Sequence, residues 1–134
     1  MIVVDTNVIC HRWLRSPHSD DADRAWVKDS DWIAPLLWRS EFRNALAGAF
    51  RKRIVTLEAA IEILAKAETQ FAGREFLVSS AAVMKCVTNS RCSAYDCEFV
   101  ALAQEQRLTL VTADREILRD FPQTALSLEQ FIAV

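Results

Sequence analysis

Four acidic residues stand where their carboxylates can converge: Asp5, Glu41, Asp96 and Asp114. Asp5 and Asp114 each follow a predicted buried strand, and open α/β sheets place ligands in the crevice outside the carboxyl ends of their strands. Asp96 opens a helix that precedes the second of these strands. Glu41 lies on a long helix, about 60 to 100 degrees round from its apolar stripe, at the border of the buried face. Because Mg²⁺ and Mn²⁺ prefer carboxylate oxygens, the set predicts a metal site.

Each of these acids also has an ordinary structural explanation. Asp5 and Asp114 can cap the helices that follow them, and Ser93 with Asp96 has the spacing of a capping box. Glu41 can be a solvated residue on a helix surface. Taken one at a time the acids leave capping and solvation open, and only the set indicates metal chemistry. Crowded carboxylates repel one another, so at least one is expected to have a raised pKa when no metal is bound.

Short apolar runs and helical periodicity define the elements that must position these acids. Strands are predicted at residues 2–4, 32–34, 75–78, 108–111 and 125–126. Helices are predicted over residues 5–14, around 22–27, and over 36–53, 56–73, 79–88, 95–106, 114–118 and 127–130. In the fourth helix, Leu57, Ile61, Leu64 and Ala65 are predicted to share one apolar face. The alternation predicts a single α/β domain, residues 1–134, around a mostly parallel sheet.

Composition narrows the class of protein. The chain has 134 residues, 51% of them hydrophobic and 25% charged, which is typical of one globular domain. No apolar run reaches the roughly 18 residues that a membrane span needs. The first residues read as a strand rather than a signal peptide, so we expect a cytoplasmic protein. The four cysteines form no Cys-x-x-Cys pair, which favours packed, reduced thiols over a zinc site.

Three segments and one further acid together resemble a known family. They are Val-Val-Asp-Thr-Asn at residues 3–7, Glu41, Tyr-Asp-Cys-Glu-Phe-Val-Ala-Leu-Ala at 95–103, and Leu-Val-Thr-Ala-Asp at 110–114. This pattern resembles the PIN-domain ribonucleases, above all the VapC toxins of bacterial and archaeal toxin–antitoxin pairs. The first segment alone is weak, whereas the helix at 95–103 followed by Val-Thr-Ala-Asp is specific. All four acids stand at the positions expected for the family, and the resemblance spans nearly the whole chain.

The resemblance implies a three-layer α/β/α sandwich and a homodimer that uses Mg²⁺ or Mn²⁺ to hydrolyse RNA. It also implies an antitoxin partner that occupies the acidic cleft. Asp5, Asp96 and Asp114 are then the strongest candidates for metal ligands, and Glu41 ligates directly or through water. Water activated by the metal is expected to leave a 5′-phosphate and a 3′-hydroxyl.

Residues next to the acids have more than one interpretation. Thr6, Asn7 and Thr112 are candidate donors that hold the carboxylates in place, although capping and turn formation explain them equally well. Glu98 either supports the metal or only solvates its helix. The net charge of −2 lacks the basic excess typical of nucleic-acid binders, so local arginines and bound metal must offset phosphate charge.

Arg39 and Arg43 lie one helical turn apart beside Glu41 and are the candidates for such arginines. A solvated helix face is the alternative explanation for this pair. Four tryptophans fall in the first third of the chain, where they serve the core or an interface; they are Trp13, Trp26, Trp32 and Trp38.

Two alternatives to a ribonuclease remain open. A phospho-receiver domain also binds Mg²⁺ with acids at strand ends, but it normally has an adjacent acidic pair after the first strand and a lysine after a late strand. Here Asp5 stands alone, and residues 111–114 contain no lysine. The second alternative is a PIN-like binding module without catalysis, against which the intact set of four acids argues.

Overall fold

Short, continuously apolar segments form the sheet. The computed structural model describes residues 1–134 and contains five strands: β1 (Ile2–Val4), β2 (Trp32–Pro35), β3 (Glu75–Phe76), β4 (Leu110–Val111) and β5 (Ala125–Leu126). They pair in the order β3-β2-β1-β4-β5, and every pair is parallel. The register places Ile2 opposite Trp32 and Val4 opposite Val111. All residues of β1 and β4 are buried, as expected for strands covered on both faces.

Eight helices flank this sheet. They are α1 (Thr6–Trp13), α2 (Ser19–Lys28), α3 (Leu37–Arg51), α4 (Leu57–Gln70), α5 (Ser80–Thr88), α6 (Ala94–Gln106), α7 (Arg115–Asp120) and α8 (Leu128–Ala133). A central sheet between helices confirms the predicted α/β/α sandwich, and the sheet is entirely rather than mostly parallel. No helix combines the length and the apolar character required to cross a membrane.

Side-chain oxygens at the helix starts explain where the helices begin. Asp5 and Asp114 cap α1 and α7, and Ser93 caps α6 by accepting a hydrogen bond from the backbone N–H of Asp96. Ser127 and Gln130 form a reciprocal capping box at α8. Each such cap stabilises its helix by about 1 kcal/mol, because it satisfies backbone donors that have no partner inside the helix. These helices therefore begin at capping residues that are visible in the local sequence.

The helix α6 crosses the middle of the sheet. It contacts β1, β2 and β4, and it is buried on several sides, with Cys97, Phe99, Val100, Ala101, Leu102 and Ala103 in the core. Because the helix is held on the sheet by this burial, the acid in its first turn is held there too.

The predicted apolar face of α4 was wrong. Leu57 and Ile61 are more than half exposed, at 54% and 58%, and Ala65 is exposed as well. Ala60 and Ala67 are buried instead, and Leu64 packs partly against the core. Small alanines allow α4 to approach α3 closely, so the helix buries its alanine face and leaves its larger residues exposed.

The tryptophans and cysteines mainly serve the interior. Trp32 and Trp38 are fully buried, and Trp13 and Trp26 pack against the core with part of their surface exposed. All four cysteines are free thiols, and Cys86, Cys92 and Cys97 are buried. A role for the two partly buried tryptophans in an interface stays a prediction.

Candidate functional site

Asp5 is the most enclosed of the predicted acids. It follows β1 directly, caps α1 and is only 6% exposed. Its Oδ1 accepts a hydrogen bond from the N–H of Thr6 at 2.7 Å. Its Oδ2 accepts one from the Thr112 hydroxyl at 2.7 Å and one from the Asn7 amide at 3.3 Å. Burial raises the pKa of Asp5 to about 6, with the charges of Glu41 and Asp96 adding to it, although the bonds from Thr112 and Thr6 oppose the rise.

Glu41 reaches the same place from α3. Its Oε1 accepts a hydrogen bond from the Thr6 hydroxyl at 2.7 Å, so Thr6 links Glu41 to Asp5 through its hydroxyl and its backbone N–H. The side chain is half-buried, which confirms its predicted place at the border of the helix face. Burial raises the pKa of Glu41, and the charge of Asp96 raises it further.

Asp96 and Asp114 complete the set from the other side. Asp96 lies in the first turn of α6, where burial and then the charge of Asp114 raise its pKa. Asp114 follows β4, and its Oδ1 accepts hydrogen bonds from the N–H groups of Glu116 at 2.8 Å and Ile117 at 3.3 Å. The capping explanations of Asp5 and Asp114 are therefore correct. They do not compete with a shared site, because the cap of α7 uses only one oxygen of the Asp114 carboxylate and a carboxylate oxygen has more than one acceptor position.

The predicted supporting residues form a small network between β1 and β4. The Thr112 hydroxyl donates to Asp5 and accepts from the N–H of Asp114 at 3.0 Å. The Asn7 amide donates to Asp5, and its oxygen accepts from the N–H of Ala113 at 3.1 Å. The carboxyl ends of β1 and β4 are thus tied together by side chains 107 residues apart.

The donor set suits a hard cation. None of the four acids takes part in an ion pair. The charges of Glu41, Asp96 and Asp114 contribute to the raised pKa values of their neighbours in the set, so the four carboxylates lie within electrostatic reach. Their side chains do not form a cluster in which three of them hold one ion. Mg²⁺ usually keeps several waters and takes only one or two carboxylates directly, so water-bridged binding fits this spacing.

Two residues near the acids were missed from the sequence. Glu116 adds to the raised pKa of Asp96, and Asp5 and Glu41 add to the effect of burial that raises the pKa of Cys10 to about 11. Glu116 carried a usable signal, because it stands two residues after Asp114 in the first turn of a helix. Cys10 lies on the helix that Asp5 caps, and the packing of α1 against α3 brings it near Glu41, which the sequence did not show.

The two arginines beside Glu41 have partners within the chain. Arg39 donates from Nε and Nη2 to the carboxylate of Glu75, at 2.6 and 2.8 Å, and from Nη1 to Glu68 at 3.2 Å. Arg43 lies 3.5 Å from the same Glu68. Arg39 is thus a partly exposed residue with ion-pair partners, and it joins α3 to β3 and α4. Contact of either arginine with RNA stays a prediction, and for Arg39 it competes with these pairs.

Comparison with known proteins places this geometry in context. A family model described as PIN domain matches residues 2–122. No curated protein matches the sequence significantly. Among solved structures, PAE2754 from Pyrobaculum aerophilum is similar with a TM-score of 0.76 and 24% identity, over 98% of this chain and 93% of that one.

Two further solved structures share the fold. FitAcB from Neisseria gonorrhoeae has a TM-score of 0.74 and 19% identity, over 96% of this chain and 99% of that one. FitAB bound to the IR36 DNA fragment has a TM-score of 0.66 and 19% identity, over 96% and 95%. At these identities the likeness establishes the shared fold.

Proposed function

Because the chain belongs to the PIN domain family, we propose that it is a Mg²⁺- or Mn²⁺-dependent endoribonuclease and the toxin of a toxin–antitoxin pair. PIN domains are generally nucleases, which makes hydrolysis of phosphodiester bonds the activity expected of the class. The observation that carries the finer proposal is a set of four carboxylates, two after the carboxyl ends of β1 and β4 and two on the helices α3 and α6. No lysine, arginine or histidine of the chain forms an ion pair with these carboxylates. Burial and the charges of neighbouring acids raise the pKa of Asp5, Glu41 and Asp96.

The chain's own residues prepare this site for a metal. Asp5, Asp96 and Asp114 are the proposed ligands, one or two of them bound directly and the rest through water, and Glu41 would bind directly or through water. A bound Mg²⁺ or Mn²⁺ supplies a water of lowered pKa and stabilises negative charge on the phosphate. Thr112, Thr6 and Asn7 hold the Asp5 carboxylate against rotation, which keeps its oxygens in place as ligands. Glu98 is an additional acid close to Asp96 on α6.

The strand order supports this family over the phospho-receiver alternative. Receiver domains have the order 2-1-3-4-5, whereas this sheet has the order 3-2-1-4-5. In this order both strands that carry acids, β1 and β4, are hydrogen-bonded neighbours. Asp5 and Asp114 therefore leave adjacent strands at the same edge of the sheet.

The partners are part of the same proposal. We propose that the protein acts in the cytoplasm as a homodimer, and that its antitoxin covers the acidic cleft. Any segment that occupies this cleft must neutralise unpaired carboxylates, so an arginine or lysine of the antitoxin is the chemistry that fits. One solved structure that shares the fold contains a DNA fragment, so DNA must be compared with RNA as a substrate.

A cleavage assay tests the proposal. Wild-type protein is incubated with end-labelled single-stranded RNA, structured RNA and single-stranded DNA, in EDTA, Mg²⁺ or Mn²⁺. We expect metal-dependent cleavage of RNA that leaves 5′-phosphate and 3′-hydroxyl ends, and no cleavage in EDTA. Asp96→Asn should abolish it, because the substitution removes the negative charge of a metal ligand while it keeps size and shape.

Asp20→Asn is the matched control, since Asp20 is an exposed acid on α2 that makes no side-chain contact with the site. Equal cleavage by wild type and Asp96→Asn would identify the activity as a contaminant. Calorimetric titration with Mn²⁺ distinguishes a metal-dependent nuclease from a PIN-like module without catalysis. A folded wild type that binds no Mn²⁺ and cleaves nothing is a non-catalytic PIN-like binding module.

A further inference from the structure

Tyr95 is an exposed aromatic residue beside the acids. It is the only tyrosine of the chain, directly precedes Asp96 in α6, and is 64% exposed. Its hydroxyl makes no hydrogen bond within the chain. Buried tyrosines usually find a polar partner and a packed ring. Tyr95 has neither, so the core does not account for its position.

The ring of Tyr95 lines a cleft of about 290 Å³, together with Val78, Val83, Met84, Ala94 and Glu98. We refer to it as the Tyr95 cleft. Its polar lining comes from Ser80 and from the carboxyl group of Glu98, and its other walls are apolar. An apolar cavity of about 150 Å³ accepts a benzene ring, so the Tyr95 cleft has room for a planar base.

The Tyr95 cleft adjoins the acidic site along α6. Its lining includes Glu98, which stands two residues after Asp96 on that helix. Asp96 and Tyr95 are neighbours in the same helical turn. A nucleotide whose phosphate lies at the acids can therefore place its base, or the base of the next nucleotide, in this cleft.

A contact that needs no protein charge would add to the affinity of this protein for RNA. The chain carries a net charge of −2, and its acidic site repels phosphate until metal is bound. The guanidinium of Arg39 is held by Glu75 and Glu68, and that of Arg43 lies beside Glu68. Stacking of a base on an aromatic ring needs no protein charge and tolerates any base.

We propose that the Tyr95 cleft binds a nucleobase of the RNA substrate next to the cleaved bond, by stacking on the ring of Tyr95. This inference rests on the ribonuclease activity proposed above. It assigns Tyr95 to substrate binding and makes no claim that it takes part in the chemical step.

Steady-state kinetics with a short single-stranded RNA test the role of the ring. Tyr95→Ala should raise KM by about tenfold and change kcat much less, since the ring contributes to binding. Tyr95→Phe keeps the stacking surface and should retain the wild-type KM. Leu77→Ala is the matched control, because Leu77 is 86% exposed but does not line the cleft, although its neighbour Val78 does.

A single tyrosine also gives a direct spectroscopic readout. Protein labelled with ¹³C in the tyrosine ring shows the ring resonances of Tyr95 alone. In EDTA no cleavage is expected and the acids weaken binding, so a large excess of a short oligoadenylate is added; it should shift these resonances upfield through the ring current of a stacked base. Oligouridylate should shift them less, because uracil has the weaker ring current.

The outcomes separate this inference from the proposed function. If wild type cleaves RNA while Tyr95→Ala keeps its KM and the ring signal does not move, the stacking role is wrong and the ribonuclease stands. If nothing is cleaved and the signal does not move, both fail. If nothing is cleaved but the signal shifts with RNA, base binding holds and the ribonuclease fails. The Tyr95 resonances could instead shift with protein concentration and not with RNA, while Leu77→Ala changes the oligomeric state. That result would show that the surface is a contact between two copies of the chain and would overturn the inference.

Discussion

Replacement of Asp5 by asparagine should make the metal-free protein more stable and inactive at once. Burial raises the pKa of Asp5 from 3.8 to about 6, because the folded site disfavours its charge. At neutral pH the folded protein therefore holds an ionised carboxylate in an unfavourable place. The asparagine side chain is uncharged and nearly the same size, so Asp5→Asn removes this cost.

The size of the effect follows from the pKa difference. The rise from 3.8 to about 6 corresponds to about 3 kcal/mol, at about 1.36 kcal/mol for each pKa unit. Asparagine loses part of this gain, because its amide nitrogen at the place of Oδ2 cannot accept the hydrogen bond that Thr112 donates there. One such bond contributes about 1 kcal/mol. The net expected stabilisation above pH 7 is about 2 kcal/mol.

The sign of the pH dependence can be stated in advance. Between pH 3.8 and about 6 the folded state binds the Asp5 proton more tightly than the unfolded state does. The free energy of unfolding contributed by this group is therefore highest at low pH and falls as pH rises through the window. Wild type should lose this contribution across that window, whereas Asp5→Asn should show a smaller change.

Urea denaturation in EDTA at several pH values measures both effects. Asp20→Asn serves as the control, since it also changes the net charge by one but removes an exposed carboxylate. With Mg²⁺ at roughly 100 times its Kd, wild type should gain about 2.7 kcal/mol and Asp5→Asn should gain almost none. The reasoning is refuted if metal-free Asp5→Asn is less stable than wild type at about pH 8 and retains the full pH dependence.

Three further substitutions test other contacts. Thr112→Val keeps the shape of a fully buried residue but removes the hydroxyl that joins Asp5 to Asp114. Calorimetry should show the Mn²⁺ affinity lowered about 10- to 100-fold, and Thr112→Ser should stay near wild type. Unchanged affinity in Thr112→Val would contradict the supporting role of this hydroxyl. Glu75→Gln should lower the free energy of unfolding in urea by about 2 kcal/mol, because Glu75 accepts hydrogen bonds from Arg39 and from the buried Trp38 indole. Glu68→Gln should lower it by under about 1 kcal/mol. Equal losses would show that the Glu75 carboxylate is not the principal partner of Arg39. Leu64→Ala should cost about 2 kcal/mol and Ile61→Ala less than about 0.5 kcal/mol, and the reverse order would restore the apolar face of α4 that the sequence predicted.

Local patterns were sufficient to predict most elements. The apolar run at residues 2–4, the cap at Ser93 and the helix starts at residues 79 and 127 each depend on neighbours within a few residues. Backbone hydrogen bonds of a helix and side-chain caps depend on neighbours in the chain, so the sequence shows them directly. The positions of Asp5 and Asp114 after their strands followed from the same signals.

The face of α4 and the role of Arg39 could not be predicted in this way. Periodicity allowed a face with Leu57 and Ile61, but close packing against α3 selected the face with alanines. Arg39 and Glu75 are separated by 36 residues, and only the pairing of β3 with β2 brings them together. Such partners depend on how the elements pack, which local sequence does not encode.

The four acids show the same division. The sequence determined that each carboxylate lies at a strand end, a helix start or a helix border, because these positions follow from local periodicity and capping. The tertiary structure decided that the Thr6 hydroxyl reaches Glu41 over 35 residues and that the Thr112 hydroxyl reaches Asp5 over 107. It also decided the burial that raises the pKa of Asp5. Burial and repulsion arise only when β1, β4, α3 and α6 share one edge of the sheet, so the electrostatic character of the site is a property of the fold.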